Sequence, residues 1–94
     1  MKKFMFLYNP ATEYSEDMKK EWMQWFQKVA PHSVDGGNPL VNGHSVTEAG
    51  VEALAPDKVT TSGYSIINAE DMSMATELAK GCPGGVKVYE ALSM

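Results

Sequence analysis

The sequence predicts a small α+β domain spanning residues 1–94, with its elements in the order βαββαβ. Three observations carry this prediction. An aromatic-rich run near the N-terminus stops at a proline, two amphipathic segments of helical period each follow a capping residue, and glycine-rich turns separate short runs typical of strands. A chain of 94 residues buries only roughly 60–65% of its unfolded surface, so the core is expected to be thin.

The first predicted strand covers residues 3–8 and is stopped by Pro10. Side chains alternate between the two faces of a strand. Both faces of this strand are apolar, with Phe4, Phe6 and Tyr8 on one side and Met5 and Leu7 on the other. Such a strand is expected to be covered on both sides.

Two helices follow from capping residues and helical spacing. Ser15 is the predicted N-cap of the first helix, which ends at Pro31, and Asp71 caps the second, which Gly81 closes. The apolar stripe of the first helix contains Met18, Trp22, Trp25, Phe26 and Val29, and that of the second contains Met72, Ala75, Leu78, Ala79 and Cys82. Each stripe is expected to face the core.

The remaining segments are assigned from composition. Residues 34–39 are rich in Gly, Asn and Pro and predict a turn, and residues 40–47 are the second strand. Residues 48–57 lack a period and are assigned to a loop, residues 58–68 to the third strand, and residues 86–91 to the last.

This order of elements predicts a ferredoxin-like four-stranded antiparallel sheet with two helices on one face and the first and third strands in the centre. The helices leave the other face uncovered. Because large apolar patches on monomers usually mark interfaces, the two-sided apolar first strand predicts a homodimer.

Charge and cysteine content narrow the class of protein. The net charge is −4, there is no Arg and the eight Lys are scattered, so no nucleic acid is expected as a partner. Cys82 is the only cysteine, which fits a reducing, cytoplasmic compartment. The apolar run from Phe4 to Tyr8 is shorter than the about 7–15 residues of a signal-peptide core or the about 20 of a membrane span, so no membrane association is expected.

Several segments resemble the YCII-related family. Residues 63–83, a strand and a helix closed by Gly-Cys-Pro, and the following Gly-Gly-Val-Lys-Val-Tyr-Glu are similar to its C-terminal half. The tryptophan-rich first helix and the turn Asp35-Gly-Gly-Asn-Pro-Leu40 resemble the branch that lacks the Asp-Gly-Pro-Phe signature. The resemblance spans nearly the whole chain. It implies a ferredoxin-like fold and a dimer of the dimeric α/β barrel type.

Candidate site residues are few. Some family members carry a His in the first helix paired with an Asp, but residues 16–30 contain no His. His32 and Asp35, three residues apart, are candidates for acid-base catalysis; the alternative is a solvated loop histidine. His44, Tyr64 and Trp22 are candidates for lining a ligand pocket. No metal signature and no cofactor fingerprint is present.

The sequence is compatible with three functions. The first is a dimeric domain that binds a small, partly apolar molecule between sheet and helices. The second is a lyase- or isomerase-type enzyme that uses a His-Asp pair. The third is a structural or regulatory interaction domain. A cavity containing a histidine favours the first two, whereas a solid core with an apolar outer patch favours the third.

Overall fold

A computed structural model describes residues 1–10 and 15–94 of the chain. Its strands are β1 (Lys2–Tyr8), β2 (Ser33–Asp35), β3 (His44–Thr47), β4 (Gly50–Ala53), β5 (Gly63–Ala69) and β6 (Val86–Ala91). Its helices are α1 (Glu16–Val29) and α2 (Met72–Ala79), with short 3-10 turns at Ala30–His32 and Pro56–Lys58. The chain is therefore mixed α+β, as predicted.

The main sheet has four antiparallel strands in the order β2-β5-β1-β6, and β3 and β4 form a separate two-stranded sheet. In β1, Phe4 lies opposite Ile67 of β5, and Phe6 lies opposite Val88 of β6. The first and third strands of the main sheet are its central pair, which confirms this part of the prediction.

Both helices begin at the predicted capping residues. The Ser15 hydroxyl accepts a hydrogen bond from the backbone N–H of Met18 at 3.1 Å, and the Asp71 carboxylate accepts one from that of Met74 at 2.8 Å. Each cap satisfies a backbone donor that has no partner within the helix and contributes about 1 kcal/mol. The sequence therefore placed both helix starts correctly.

The core lies between the helices and one face of the main sheet. Phe4, Phe6 and Tyr8 point toward the helices and are almost fully buried. From α1, the Trp25 ring lies 6.1 Å from that of Phe6, and from α2, Ala75 joins the same buried cluster. Burying each such aromatic side chain contributes about 1.5–3 kcal/mol relative to exposure. Both helices thus cover the same face, as expected.

The opposite face of the main sheet, here called the open face, has an apolar centre. Its apolar members include Met5, Leu7, Tyr64, Ile66 and Tyr89, and Lys87 lies beside Leu7 on the same face. Met5 lies between Ile66 and Tyr89 on the neighbouring strands, and the Tyr89 side chain is 56% exposed. Since Phe4 and Phe6 face the helices, Met5 and Leu7 are the β1 side chains on the open face.

Three assignments between the helices were wrong. The second strand of the main sheet is Ser33–Asp35 and not residues 40–47. Two of its three residues belong to segment 34–39, which was predicted as a turn. His44–Thr47 instead pairs with Gly50–Ala53, which was assigned to a loop. The three-residue strand has no room for an alternating pattern and contains a register shift, so only its pairing with β5 defines it.

The β3–β4 hairpin is amphipathic and projects from the domain. His44 lies opposite Ala53 and Val46 opposite Val51, so these four side chains share one face. Val46 is 73% exposed and Val51 66%. The Cα radius of gyration is 14.6 Å, compared with about 12 Å expected for a compact chain of this length. The projecting hairpin accounts for the larger radius of gyration, because it packs little surface against the main sheet.

Candidate functional site

A cleft of about 190 Å³ opens where α1 passes the turn between β2 and the hairpin and the start of β5. It is lined by Tyr8, Trp22, Phe26, Gly36, Gly37, Asn38, Pro39, Ser62, Gly63 and Tyr64. These residues come from four separate segments of the chain. The cleft is therefore a product of tertiary packing.

Three aromatic rings form one wall of the cleft. Trp22 and Phe26 are four residues apart on α1, so they share a helix face, and their rings stack with centroids 5.6 Å apart and planes 27° apart. The Tyr8 ring meets Trp22 edge-on at 5.2 Å. Aromatic pairs favour both geometries. The wall is consequently held in place by ring-ring contacts.

The predicted core stripe of α1 divides into two parts. Trp25 and Val29 are buried in the core, whereas Trp22 is part-buried at the cleft and Phe26 is 43% exposed. The stripe is wider than the face that the sheet can cover, because the cleft interrupts the contact. Trp22 thus matches its role as a candidate lining residue better than its role as a core residue.

The opposite wall is the turn of residues 36–39. Gly37 has a φ of +80°, and a Cβ atom at this position would lie 1.5 Å from the backbone oxygen of Tyr64. The Asp35 carboxylate accepts a hydrogen bond from the Gly37 N–H at 2.8 Å. Pro39 forms a bridge with Gly63. Glycine at residue 37 therefore lets the turn lie directly on the start of β5.

Polar groups stand beside this turn. The Asn38 side-chain N–H donates to the Tyr64 hydroxyl at 3.3 Å. Ser62 donates from its hydroxyl to the Asn9 carbonyl oxygen at 3.1 Å. The contact between Asn38 and Tyr64 is exposed, because the Tyr64 side chain lies on the same face of the sheet as Leu7. The cleft itself combines an aromatic wall with Ser62 and the backbone of the turn, and such mainly apolar linings are usual for small-molecule sites.

A buried chain of hydrogen bonds connects the core to the turn. The Trp25 indole N–H donates to the Tyr8 hydroxyl at 3.2 Å, and the Ser65 hydroxyl donates to the Gly36 carbonyl at 2.8 Å. Tyr8 and Ser65 lie 2.7 Å apart. Since Ser65 has already given its one hydrogen to Gly36, Tyr8 is the donor to Ser65. These hydrogen bonds fix the position of Tyr8 relative to the turn.

The structure brings together two of the predicted ligand-binding residues and separates the third. Trp22 and Tyr64 both line the cleft. His44 instead lies exposed on the hairpin, where its Nδ1 is 2.9 Å from the carbonyl oxygen of Asn42. The misplaced second strand explains the difference, because His44 belongs to β3 and not to the main sheet.

The predicted catalytic pair is not joined. His32 is part-buried at the end of a 3-10 turn, and the Asp35 carboxylate holds Gly37. Within residues 1–10 and 15–94, no hydrogen bond or ion pair links His32 to Asp35, and no group of three or more His, Cys, Asp or Glu has a metal-binding arrangement. The observed contact of Asp35 is structural, since it shapes the turn.

Cys82 lies at the end of the segment after α2 and is buried. Burial raises the pKa of the Cys82 thiol to about 12, and the nearby Lys28 opposes this only in part. A thiol with such a pKa carries almost no thiolate near neutral pH, and the thiolate is the nucleophile. This agrees with the interpretation of Cys82 as a core residue.

Sequence reasoning missed Tyr8, Asn38 and Ser62 as lining residues and favoured the core for Phe26. For Phe26 a signal existed, since its spacing of four from Trp22 places both rings on one face. Tyr8, Asn38 and Ser62 meet only because the turn crosses the start of β5. No local pattern encodes that crossing.

A second, wider depression of about 520 Å³ lies at the base of the hairpin. It is lined by Leu40, Val41, Asn42, Gly43, Leu54, Val59, Thr60 and Thr61. Its side chains are mainly aliphatic. It resembles a packing surface more than a site with convergent polar groups.

In the part of the chain that the structure describes, neither helix combines the length and the apolar character needed to cross a membrane. Comparisons of the chain with protein-family models, with curated proteins and with solved structures found no match.

Proposed function

We propose that the cleft beside α1 binds a small, partly apolar molecule. The observation that carries this proposal is the stacked aromatic wall of Trp22 and Phe26, which stands opposite the backbone of the 36–39 turn across the cleft. Apolar walls supply affinity, and a few fixed polar groups supply orientation.

Part of the site is rigid before any ligand arrives. The hydrogen-bonded chain through Tyr8 and Ser65 holds the turn at Gly36, and the close approach of Gly37 to Tyr64 leaves that turn little freedom. A preformed site loses less conformational freedom on binding, which favours affinity. The turn and the aromatic wall are therefore suited to binding.

The test is an amide-proton NMR titration with a library of small molecules, comparing the wild type with Trp22→Ala. Binding compounds are expected to shift backbone signals of residues 36–38 and 62–64 and to lose affinity in the variant. Met23→Ala is the matched control, because Met23 is a neighbouring, 64% exposed residue outside the lining. Shifts that map elsewhere, or equal affinity in Trp22→Ala, would contradict the proposal.

We also propose that the fold is ferredoxin-like and that two copies pack through their open faces. The strand order β2-β5-β1-β6 supports the first statement, and the apolar pair Met5 and Leu7 on a central strand supports the second. A lone two-stranded hairpin is marginally stable, so the amphipathic β3–β4 hairpin also favours a partner copy. This second function, an interaction domain, is compatible with the cleft.

We also propose that the chain belongs to the YCII-related branch, on the basis of the sequence similarities described above. Its single cysteine supports a cytoplasmic location. A lyase- or isomerase-type reaction at His32 and Asp35 has less support than binding, because Asp35 is engaged by Gly37.

A further inference from the structure

We propose that association of two copies through the open face regulates the cleft, because it fixes the 36–38 turn that forms one cleft wall. The link is Tyr64, whose backbone contacts the turn while its side chain lies on the open face. This inference rests on the proposed cleft and the proposed homodimer, and it goes beyond both by connecting them.

The turn is attached to β5 at two consecutive residues. Gly37 lies so close to the backbone oxygen of Tyr64 that a Cβ atom at residue 37 would be 1.5 Å away. On the helix side of the sheet, the Ser65 hydroxyl donates to the Gly36 carbonyl at 2.8 Å. On the open side, the Asn38 side-chain N–H donates to the Tyr64 hydroxyl at 3.3 Å. The turn is thus held from both faces of the sheet.

The two side-chain attachments differ in their exposure to water. Ser65 is fully buried, whereas Asn38 is exposed and Tyr64 is part-buried. A hydrogen bond that water can replace adds little stability, and the same bond is stronger where water is excluded. In a single chain, the Asn38 end of the turn is therefore the weakly held end.

A partner copy on the open face changes the surroundings of this weak attachment. Tyr64 lies directly opposite Leu7 on the central pair of strands, and Met5 and Ile66 form the next row of the same face. A partner that covers Leu7 therefore reaches Tyr64 and removes water from its hydroxyl. The hydrogen bond from Asn38 to Tyr64 becomes stronger, and the turn is then fixed at both ends.

This fixation connects association to binding in the cleft. A wall that is fixed before binding loses less conformational freedom when a molecule enters, so the dimer is expected to bind more tightly than the single chain. Because the coupling between two binding events is reciprocal, a molecule in the cleft also favours association. Occupation of the cleft and association through the open face therefore promote each other.

The test measures the solvent exchange of the Gly37 amide proton by NMR in the full chain without any ligand. This proton reports on the turn, since the Asp35 carboxylate accepts its hydrogen bond at 2.8 Å. The wild type is compared with Met5→Lys, which places a charge on the open face one row away from Tyr64 and is expected to sediment as a single chain. We expect exchange at Gly37 to be at least about fivefold slower in the dimer, the lower end of typical coupling between two sites.

Two tyrosine variants isolate the hydroxyl of Tyr64. Tyr64→Phe keeps the ring on the open face, so it is expected still to form the dimer but to lose the difference in Gly37 exchange between the dimer and its Met5→Lys counterpart. Tyr89→Phe is the matched control, because Tyr89 lies on the same face, opposite Met5, but on the edge strand two positions from β5. The control is expected to keep the full difference. Circular dichroism of each variant verifies its fold, and dilution of the wild type below its dissociation midpoint supplies a second single-chain reference.

The possible results distinguish this inference from the proposed function. Equal Gly37 exchange in the wild-type dimer and the single chain overturns the coupling and leaves the dimer and cleft binding in place. Slower exchange that persists in the Tyr64→Phe dimer means that the partner shields the turn directly, which overturns the role of Tyr64. A wild type that sediments as a single chain excludes the dimer and the coupling together, whereas cleft binding is tested separately by the titration of Trp22→Ala.

Discussion

The hydroxyl groups of Tyr8 and Ser65 lie 2.7 Å apart in the core, although the two residues are 57 positions apart in the sequence. Their contact joins the two central strands on the side that faces the helices. Through the Trp25 indole on one side and the Gly36 carbonyl on the other, it connects the packing of α1 to the wall of the cleft.

Ser65→Ala is expected to lower the free energy of unfolding by about 1–3 kcal/mol, because it leaves the buried Tyr8 hydroxyl without its acceptor and removes the donor to the Gly36 carbonyl. Chemical denaturation followed by circular dichroism measures this change. Ser73→Ala, at an exposed position on α2, is the control and is expected to stay within about 0.5 kcal/mol. Equal free energies of unfolding for the two variants would show that the hydrogen bonds of Ser65 do not stabilise the protein.

Gly37→Ala is expected to destabilise the protein by at least about 3 kcal/mol, since the added Cβ would lie 1.5 Å from the Tyr64 oxygen at a positive φ. The adjacent Gly36→Ala is a matched control, because a Cβ there meets nothing within 4 Å. Thermal melting of both variants is the measurement. Similar melting temperatures would mean that the turn does not lie on β5 as described.

The two tryptophans of α1 are expected to separate stability from binding. Trp25→Ala should cost about 3–5 kcal/mol, because Trp25 is 3% exposed. Trp22→Ala should cost less, since part of its ring faces the cleft, yet it should weaken ligand binding more strongly. Denaturant unfolding and NMR titration of both variants provide the comparison. A larger stability loss for Trp22→Ala would reverse the assignment of core and cleft.

The Cys82 thiol is expected to react slowly with an aromatic disulfide reagent near neutral pH in the folded protein and rapidly after denaturation. Burial raises its pKa from 9.0 to about 12, so the folded thiol stays protonated where the unfolded thiol ionises. The unfolded state therefore binds fewer protons between these values, and stability falls as pH rises from 9.0 to about 12. Absorbance of the released reagent and melting curves at alkaline pH measure both effects. Fast labelling of the native protein would contradict the burial.

Leu7→Lys is expected to split the proposed homodimer while leaving each chain folded, because Leu7 lies on the open face. Phe6→Lys should instead unfold the chain, since Phe6 is fully buried under the helices. Met23→Lys, on the exposed side of α1, is the control and should change neither property. Sedimentation at micromolar concentration is the measurement. A wild type that sediments as a single 10.3 kDa species would exclude the dimer.

Local signals predicted the fold well where an element is self-contained. The alternation in β1 and the caps at Ser15 and Asp71 could be read from neighbouring residues alone. The three-residue strand Ser33–Asp35 could not, because its pairing with β5 defines it. Because the second strand was predicted at residues 40–47, His44 was predicted on the main sheet, whereas it lies on the hairpin.

The candidate site was predictable only in part for the same reason. The helical spacing of α1 indicated Trp22, and Tyr64 was predicted as a lining residue. Asn38 and Tyr8 contribute because distant segments cross, which no periodicity records.

The series of hydrogen bonds that runs from the Trp25 indole to the Gly36 carbonyl has a fixed direction, and this limits the acid-base chemistry open to Tyr8. An indole N–H is only a donor and a peptide carbonyl is only an acceptor, so each hydroxyl between them has one allowed orientation. A proton relay needs a chain whose members can reverse, and this one is blocked at both ends. Tyr8 accordingly serves the cleft as a fixed aromatic surface, and any proton that a bound molecule gains or loses must be exchanged elsewhere.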